Sequence, residues 1–349
     1  MGQRVLVTGV SRFLGGKLAQ RLEQDPDVEY VVGIDLDEPE LDLERTEFVR
    51  ADIRNPLVVK VLQTTEVDTV VHLNIVATPT RVGGRTAMKE LNVIGTMQLF
   101  AACQKAEKVR KVVMKSTTAV YGAGPRDPAL FTEEMTPRDV PRAGYSKDAV
   151  EVEQYARDFG RRRQDVDLTI LRFANFLGPD IETTLTRYFS LPVIPTPMGY
   201  DPRIQLVHED DAIELLYRSV REDHPGIYNV AADGILYLSQ VWRILGRPPL
   251  PLILPLISPV ANALRRLGYV DFATDQLRYL IYGRVADNAR VKREFDHTFA
   301  MTTRQTLEDF VEQRRIRGVL NRDRVEGWEH DLYDFLRRKN QERFEQGVT

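Results

Sequence analysis

The sequence predicts a doubly wound α/β fold, a parallel sheet covered by helices on both faces. Three observations predict it. Short apolar, β-rich runs alternate with longer amphipathic stretches; a glycine-bearing turn joins the first run to the first helix; and Asp35 closes the second run 20 residues after Gly15.

Taken in order, residues 4–8 read as a strand and 14–24 as a helix, with apolar residues at three- and four-residue spacing. Residues 30–35, 47–49, 69–74, 111–116 and 168–173 read as further strands, and 56–65, 84–105 and 146–159 as the helices between them. Parallel neighbours need crossovers, and helices of this length supply them. After Phe176 the pattern loosens. Pro179, Pro192, Pro195, Pro197 and Pro202 interrupt the chain before a helix at 212–221 and a strand at 226–231. The expected organisation is a dinucleotide-binding domain over residues 1–176 with return segments at about 206–245, and a smaller, interleaved C-terminal substrate lobe from 177–205 and 246–320. Residues 321–349 read as a charged helical tail, in which Trp328, Leu332, Tyr333, Phe335 and Leu336 form a stripe for docking or for a subunit contact.

Composition narrows the function. Among 349 residues, 48 Lys and Arg face 51 Asp and Glu, and 43% are hydrophobic, which excludes a disordered chain and a phosphate-driven nucleic-acid reader. Cys103 is the single cysteine and the histidines show no ligating spacing, so neither a disulfide nor a metal site is expected. The N-terminus carries no cleavage signal, and a cytoplasmic location is expected. Residues 250–264 are strongly apolar but hold Pro251, Pro255 and Pro259 and fall short of a membrane span, for which about 20 residues are needed. They read as a core strand or loop entering a helix at Ser258, with an apolar substrate mouth or a membrane-surface contact as alternatives.

The first turn carries the chemistry. Gly9 permits a tight bend, Gly15 permits close helix packing, and the amides around Phe13 and Leu14 at the helix start offer positive dipole to a diphosphate. This is a Rossmann-type arrangement, except that Arg12 stands where a middle glycine is usual. The alternative is a purely structural turn. Asp35 suits the adenosine ribose hydroxyls and favours NAD, whereas Arg12 could pair with the 2′-phosphate of NADP, or with Asp35 or Asp37.

With these residues, Asp52-Ile53, Val71-His72-Leu73, the Asn92-to-Thr96 segment, the Leu171-to-Pro179 segment and the Val207-to-Ala212 segment resemble the extended short-chain dehydrogenase/reductase family, in its NAD-dependent nucleotide-sugar epimerase/dehydratase branch. Within it the chain looks most like actinobacterial members labelled UDP-glucose 4-epimerase. The resemblance implies adenine contacts from Asp52 and Ile53, cofactor contacts from Leu73, Asn74 and Asn92, substrate contacts from Asn175 and Arg203, a nucleotide-sugar substrate and a homodimer. Family members use Tyr-x-x-x-Lys with a Ser or Thr, because a phenol turns basic only beside positive charge. Lys147 matches the lysine, which could instead hold only the nicotinamide ribose, and Thr117 matches the hydroxyl. The tyrosine position, however, is Ala143. Tyr145 is the provisional base, although two residues along a continuous helix separate it from Lys147 by about 200°. Tyr121 is a second candidate, with packing beneath the cofactor as its other role. Two rival functions follow from these departures: an NAD(P)-binding regulatory or scaffold protein without turnover, and a reductase of an apolar alcohol or ketone, the latter suggested by residues 250–264 and Ile75.

Overall fold

The structure, a computed structural model, describes residues 2–136, 141, 144–270 and 274–319, so Ala143 and the tail at 321–349 lie outside the described residues. The first half of the chain runs β1 (Gln3–Thr8), α1 (Phe13–Glu23), β2 (Val28–Asp35), β3 (Thr46–Arg50), α2 (Val58–Thr64), β4 (Thr69–His72), α3 (Arg85–Lys89), α4 (Thr96–Lys105), β5 (Lys111–Thr117), α5 (Gly144–Arg162) and β6 (Asp167–Phe173). It continues through β7 (Asn175–Leu177), α6 (Thr184–Phe189), β8 (Ile194–Pro197), β9 (Arg203–Ile204), β10 (Leu206–His208), α7 (Glu209–Arg221), β11 (Gly226–Val230), β12 (Leu236–Tyr237) and α8 (Leu238–Leu245). β13 (Pro249–Leu252), α9 (Leu254–Arg266), α10 (Thr274–Tyr282), α11 (Ala289–Glu294) and α12 (Thr303–Val319) complete it.

Seven strands form one parallel sheet in the order β3-β2-β1-β4-β5-β6-β11. Strand periodicity splits its side chains between two cores. Leu6, Val32, Val70 and Val112 face a core capped by Leu62 of α2, Leu99 of α4 and Val152 of α5. Val5, Val7, Val31, Val71 and Val113 face the opposite core, capped by Leu18 of α1 and Leu215 of α7. Burial on both faces explains why these strands are continuous apolar runs rather than alternating ones. Chain order reverses between β1 and β4, and crevices at such a switch point are where open α/β sheets bind ligands. A third core gathers residues beyond β6, including Leu185, Phe189, Ile204, Val241, Leu280 and Phe310.

A buried polar network ties α5 to the sheet. Arg172 on β6 donates to both carboxylate oxygens of Glu153 on α5, at 2.9 and 2.7 Å, and Ser116 Oγ of β5 donates to the same group at 2.6 Å.

Several sequence expectations need correction. β4 stops at His72 rather than 74. The helix expected over 84–105 is interrupted by a π-helical turn at Glu90–Gly95, which lets Asn92 bond the Val76 backbone at 2.8 Å as both donor and acceptor. The apolar run after Pro249 lies at the margin of the core: α9 starts at Leu254, four residues before Ser258, and none of its side chains is fully buried, although Leu264 packs against the third core. Pro255 falls in the first turn of α9, where its missing N–H would have no partner anyway.

Candidate functional site

The loops that follow β1, β4 and β5, the start of α5, and the segment from β7 to α6 enclose one cavity, with α10 on its far wall. Its β1–α1 side is built from Gly9, Arg12, Phe13, Leu14 and Gly15. Gly9 has φ +80°, and a Cβ on Gly15 would lie 2.1 Å from the Gly9 carbonyl oxygen, so both glycines are required by the backbone. Arg12 is tolerated for the complementary reason. Its φ of −94° is ordinary for any residue, and the guanidinium projects into the cavity wall without strain on the turn. No side chain caps the N-terminus of α1, which leaves its first amides open to an anion. Asp35 stands at the end of β2 and accepts from the Ser11 amide at 3.2 Å and from the Ser11 hydroxyl, not from Arg12. These residues fit a dinucleotide: a glycine cradle, open helix amides and a neighbouring carboxylate.

The other implied cofactor contacts are placed differently. Leu73 lines the cavity; Asn74 is buried, its Oδ1 without a hydrogen-bond partner among the described residues. Asn92 shapes the loop after β4 through Val76 instead of reaching the cavity. Asp52 is held by Arg54 at 2.6 Å, which lowers its pKa, and Ile53 is buried against Gly95; neither is on the cavity wall.

Beyond the end of β5, Thr117 and Tyr145 share the cavity with Ser146. Thr117 Oγ1 accepts from the Ala119 amide at 3.1 Å, which fixes the hydroxyl at the end of β5. Tyr145 is only 8% exposed. Lys147 is not brought to them. Helix α5 already includes Gly144 and Tyr145, so Lys147 points away, 41% exposed, with its Nζ 3.5 Å from Glu151. Tyr121 is committed elsewhere: its hydroxyl donates to Asn229 at 2.8 Å and accepts from Arg172 at 2.7 Å, and its ring stacks on Phe131. Of the implied substrate residues, Asn175 lines the cavity, whereas Arg203 on β9 donates to the Ala129 carbonyl at 2.6 Å and does not.

The cavity also holds residues that sequence reasoning missed. Lys115 lies two residues before Thr117 on β5, hence on the same strand face, and burial, with the nearby Arg12 charge, pushes it down to about 7. A lysine inside an otherwise apolar strand was the available signal. Arg284, buried under Tyr279, donates to the Gly122 carbonyl at 2.8 Å and to Thr118 Oγ1 at 3.2 Å. Thr184 Oγ1 is buried on the cavity wall without a hydrogen-bond partner among the described residues. Glu209 holds this wall in place by accepting from the Ile181 amide at 2.7 Å, and Gly178 makes room for its carboxylate.

Among the described residues no cluster could hold a metal ion, and no helix is long and apolar enough to cross a membrane. An uncharacterized protein of Mycobacterium tuberculosis is 46% identical over 331 residues, covering 93% of this chain and 88% of its own. Two crystal structures share the fold: UDP-glucose 4-epimerase of Thermotoga maritima with UDP-glucose, at TM-score 0.69 and 18% identity, covering 91% of this chain and all of the other, and dTDP-glucose 4,6-dehydratase of Bacillus anthracis with NAD, at TM-score 0.68 and 19% identity, covering 89% and 96%. The model of the NAD dependent epimerase/dehydratase family matches residues 5–231, and the chain, with its glycine cradle and seven-stranded parallel sheet, belongs to that family.

Proposed function

We propose that this protein is an NAD-dependent oxidoreductase of nucleotide sugars, an epimerase or dehydratase, with UDP-glucose 4-epimerase activity as its specific form. The observation that carries the proposal is a single cavity that joins the glycine cradle of β1–α1 to the hydroxyls of Thr117 and Tyr145. Bound NAD supplies the hydride acceptor. The chain does the rest. Tyr145 takes the proton of the reacting sugar hydroxyl, and Thr117, its hydroxyl held by the Ala119 amide, orients that hydroxyl. Asn175, Thr184 and Arg284 offer polar groups to the far end of the substrate. Asp35 favours NAD over NADP by opposing a 2′-phosphate.

Support for the substrate class comes from the family and from the sugar nucleotides named for structural relatives, among them UDP-glucose and UDP-glucuronic acid. Loading the purified protein with NAD and adding UDP-glucose or UDP-galactose tests it. Interconversion of the two sugars, with transient reduced nicotinamide absorbance, is expected. No change in either signal over a range of sugar nucleotides rejects it.

The position of Lys147 outside the cavity favours one rival, a dinucleotide-binding protein without turnover. Tight NAD binding with no hydride exchange on any alcohol would establish that rival.

A further inference from the structure

The cavity is charged in a way the fold does not require. Arg12, Lys115 and Arg284 line it, against one carboxylate, Glu182. Arg284 is anchored by Thr118 and Gly122, but Lys115 has no such anchor: among the described residues no carboxylate pairs with it, and the charge it feels is that of Arg12. The Arg12 charge acts on Lys115 across the cleft, and an anion lying between the two cations would relieve that repulsion. The turn does not ask for Arg12, and β5 could carry a small or apolar residue at 115. The open amides of α1 belong to the same end of the cavity as Arg12.

We propose, on the reading of this cleft as a dinucleotide site, that Arg12 and Lys115 form a two-cation clamp on the dinucleotide's diphosphate, supplementing the main-chain amides. The clamp compensates for what Arg12 takes away, since a bulky side chain replaces the close approach of bare backbone. It also couples binding to a proton. Arg12 ahead of α1 and neutral His72 on β4 interact electrostatically with Lys115, which shares the cavity with Thr117 on its own strand, Tyr145 and Ser146 from α5, Glu182, and Arg284 beyond α10. With the free lysine titrating at about 7, most of it is uncharged at pH 8, and an arriving diphosphate draws a proton onto it.

Calorimetry of the full chain with NAD at pH 8, in two buffers of different ionisation enthalpy, tests the clamp. The parent is expected to take up most of one proton, about 0.9 for a titration one unit below the working pH. Lys115→Met is expected to bind at least tenfold more weakly and without uptake. Lys115→Arg is expected to restore most of the affinity but still show no uptake, which a merely structural lysine would not produce. ADP should lose affinity in Lys115→Met as NAD does, and adenosine should not. Unchanged NAD affinity in folded Lys115→Met, or an equal loss of adenosine affinity in that variant, overturns the clamp while leaving the dinucleotide site standing; equal heats in the two buffers overturn its coupling to a proton. Absence of any NAD binding to the parent overturns both.

Discussion

Tyr145 and Lys147 stand two residues apart on α5 and face opposite ways, the phenol into the cavity and the ammonium toward Glu151, both of that pair partly exposed. The separation follows from helix geometry, in which residues two apart differ by about 200°.

That geometry predicts different effects of the two side chains on the proposed turnover. If Tyr145 is the base, Tyr145→Phe should lower kcat/KM by about 10² to 10⁴, the usual worth of a positioned proton acceptor. Lys147→Met should stay within about threefold of the parent, because a partly exposed side chain paired with Glu151 outside the cavity contributes little. Steady-state rates with UDP-glucose check both. Equal losses in the two variants would put Lys147 back in the site.

Glu153 accepts from Arg172 and Ser116 deep between α5 and the sheet. Glu153→Gln leaves the Arg172 charge buried without its counterion, and a loss of about 3–5 kcal/mol in unfolding free energy is expected. Urea titration at neutral pH measures it. A change under about 1 kcal/mol would contradict the buried pairing, being the range of exposed pairs.

His72 is fully buried between Thr8 and Thr96, each hydroxyl 2.8 Å from a ring nitrogen, and burial, aided by Lys115, lowers it to about 3. The folded value is below the unfolded one. Its contribution to stability is therefore complete above pH 6.5 and is lost as pH falls from there toward 3. The unfolded chain gains a proton the native state refuses, which costs about 1.4 kcal/mol per pH unit. His297, lowered to about 4 mainly by burial, acts in the same direction. His72→Gln should reduce the slope of unfolding free energy between pH 6 and 4 by about one proton. An unchanged slope would mean that His72 is charged in the fold.

Gly15→Ala should abolish dinucleotide binding and lower Tm, because its Cβ would collide with the Gly9 carbonyl. Thermal unfolding with and without NAD checks this. A variant that retains a ligand-induced rise in Tm would show that the turn can relax.

Much of the architecture was legible in the sequence. Val5 to Val7 and Val31 to Ile34 are apolar on both faces because both faces are covered, and Gly9 and Gly15 mark the turn between strand and helix. The site was legible only where a backbone constraint or a strand end dictates position, as for Gly9, Gly15 and Thr117. Side-chain direction was the obscure part. The facing of Tyr145 and Lys147 depends on where α5 begins, which the spacing alone does not give. Lys115 was missed because a lysine in a strand reads as an edge or solvent-facing residue, and only the fold shows β5 in the middle of the sheet. Residues 250–264 misled for the opposite reason: apolar composition suggested a core, yet α9 leaves Leu254 and Leu256 half exposed and only Leu264 packs against the third core.

The proposed function requires a dinucleotide seated in one cavity across the tip of β1, with its reactive end at Thr117 and Tyr145. A crystal structure of the protein grown with NAD and UDP-glucose tests this most directly. The diphosphate is expected against the first amides of α1, between the Arg12 and Lys115 side chains, with a sugar hydroxyl within hydrogen-bond reach of Tyr145 Oη. A well-ordered protein whose cavity remains empty at saturating NAD, or holds the dinucleotide with its nicotinamide away from Thr117 and Tyr145, would contradict it.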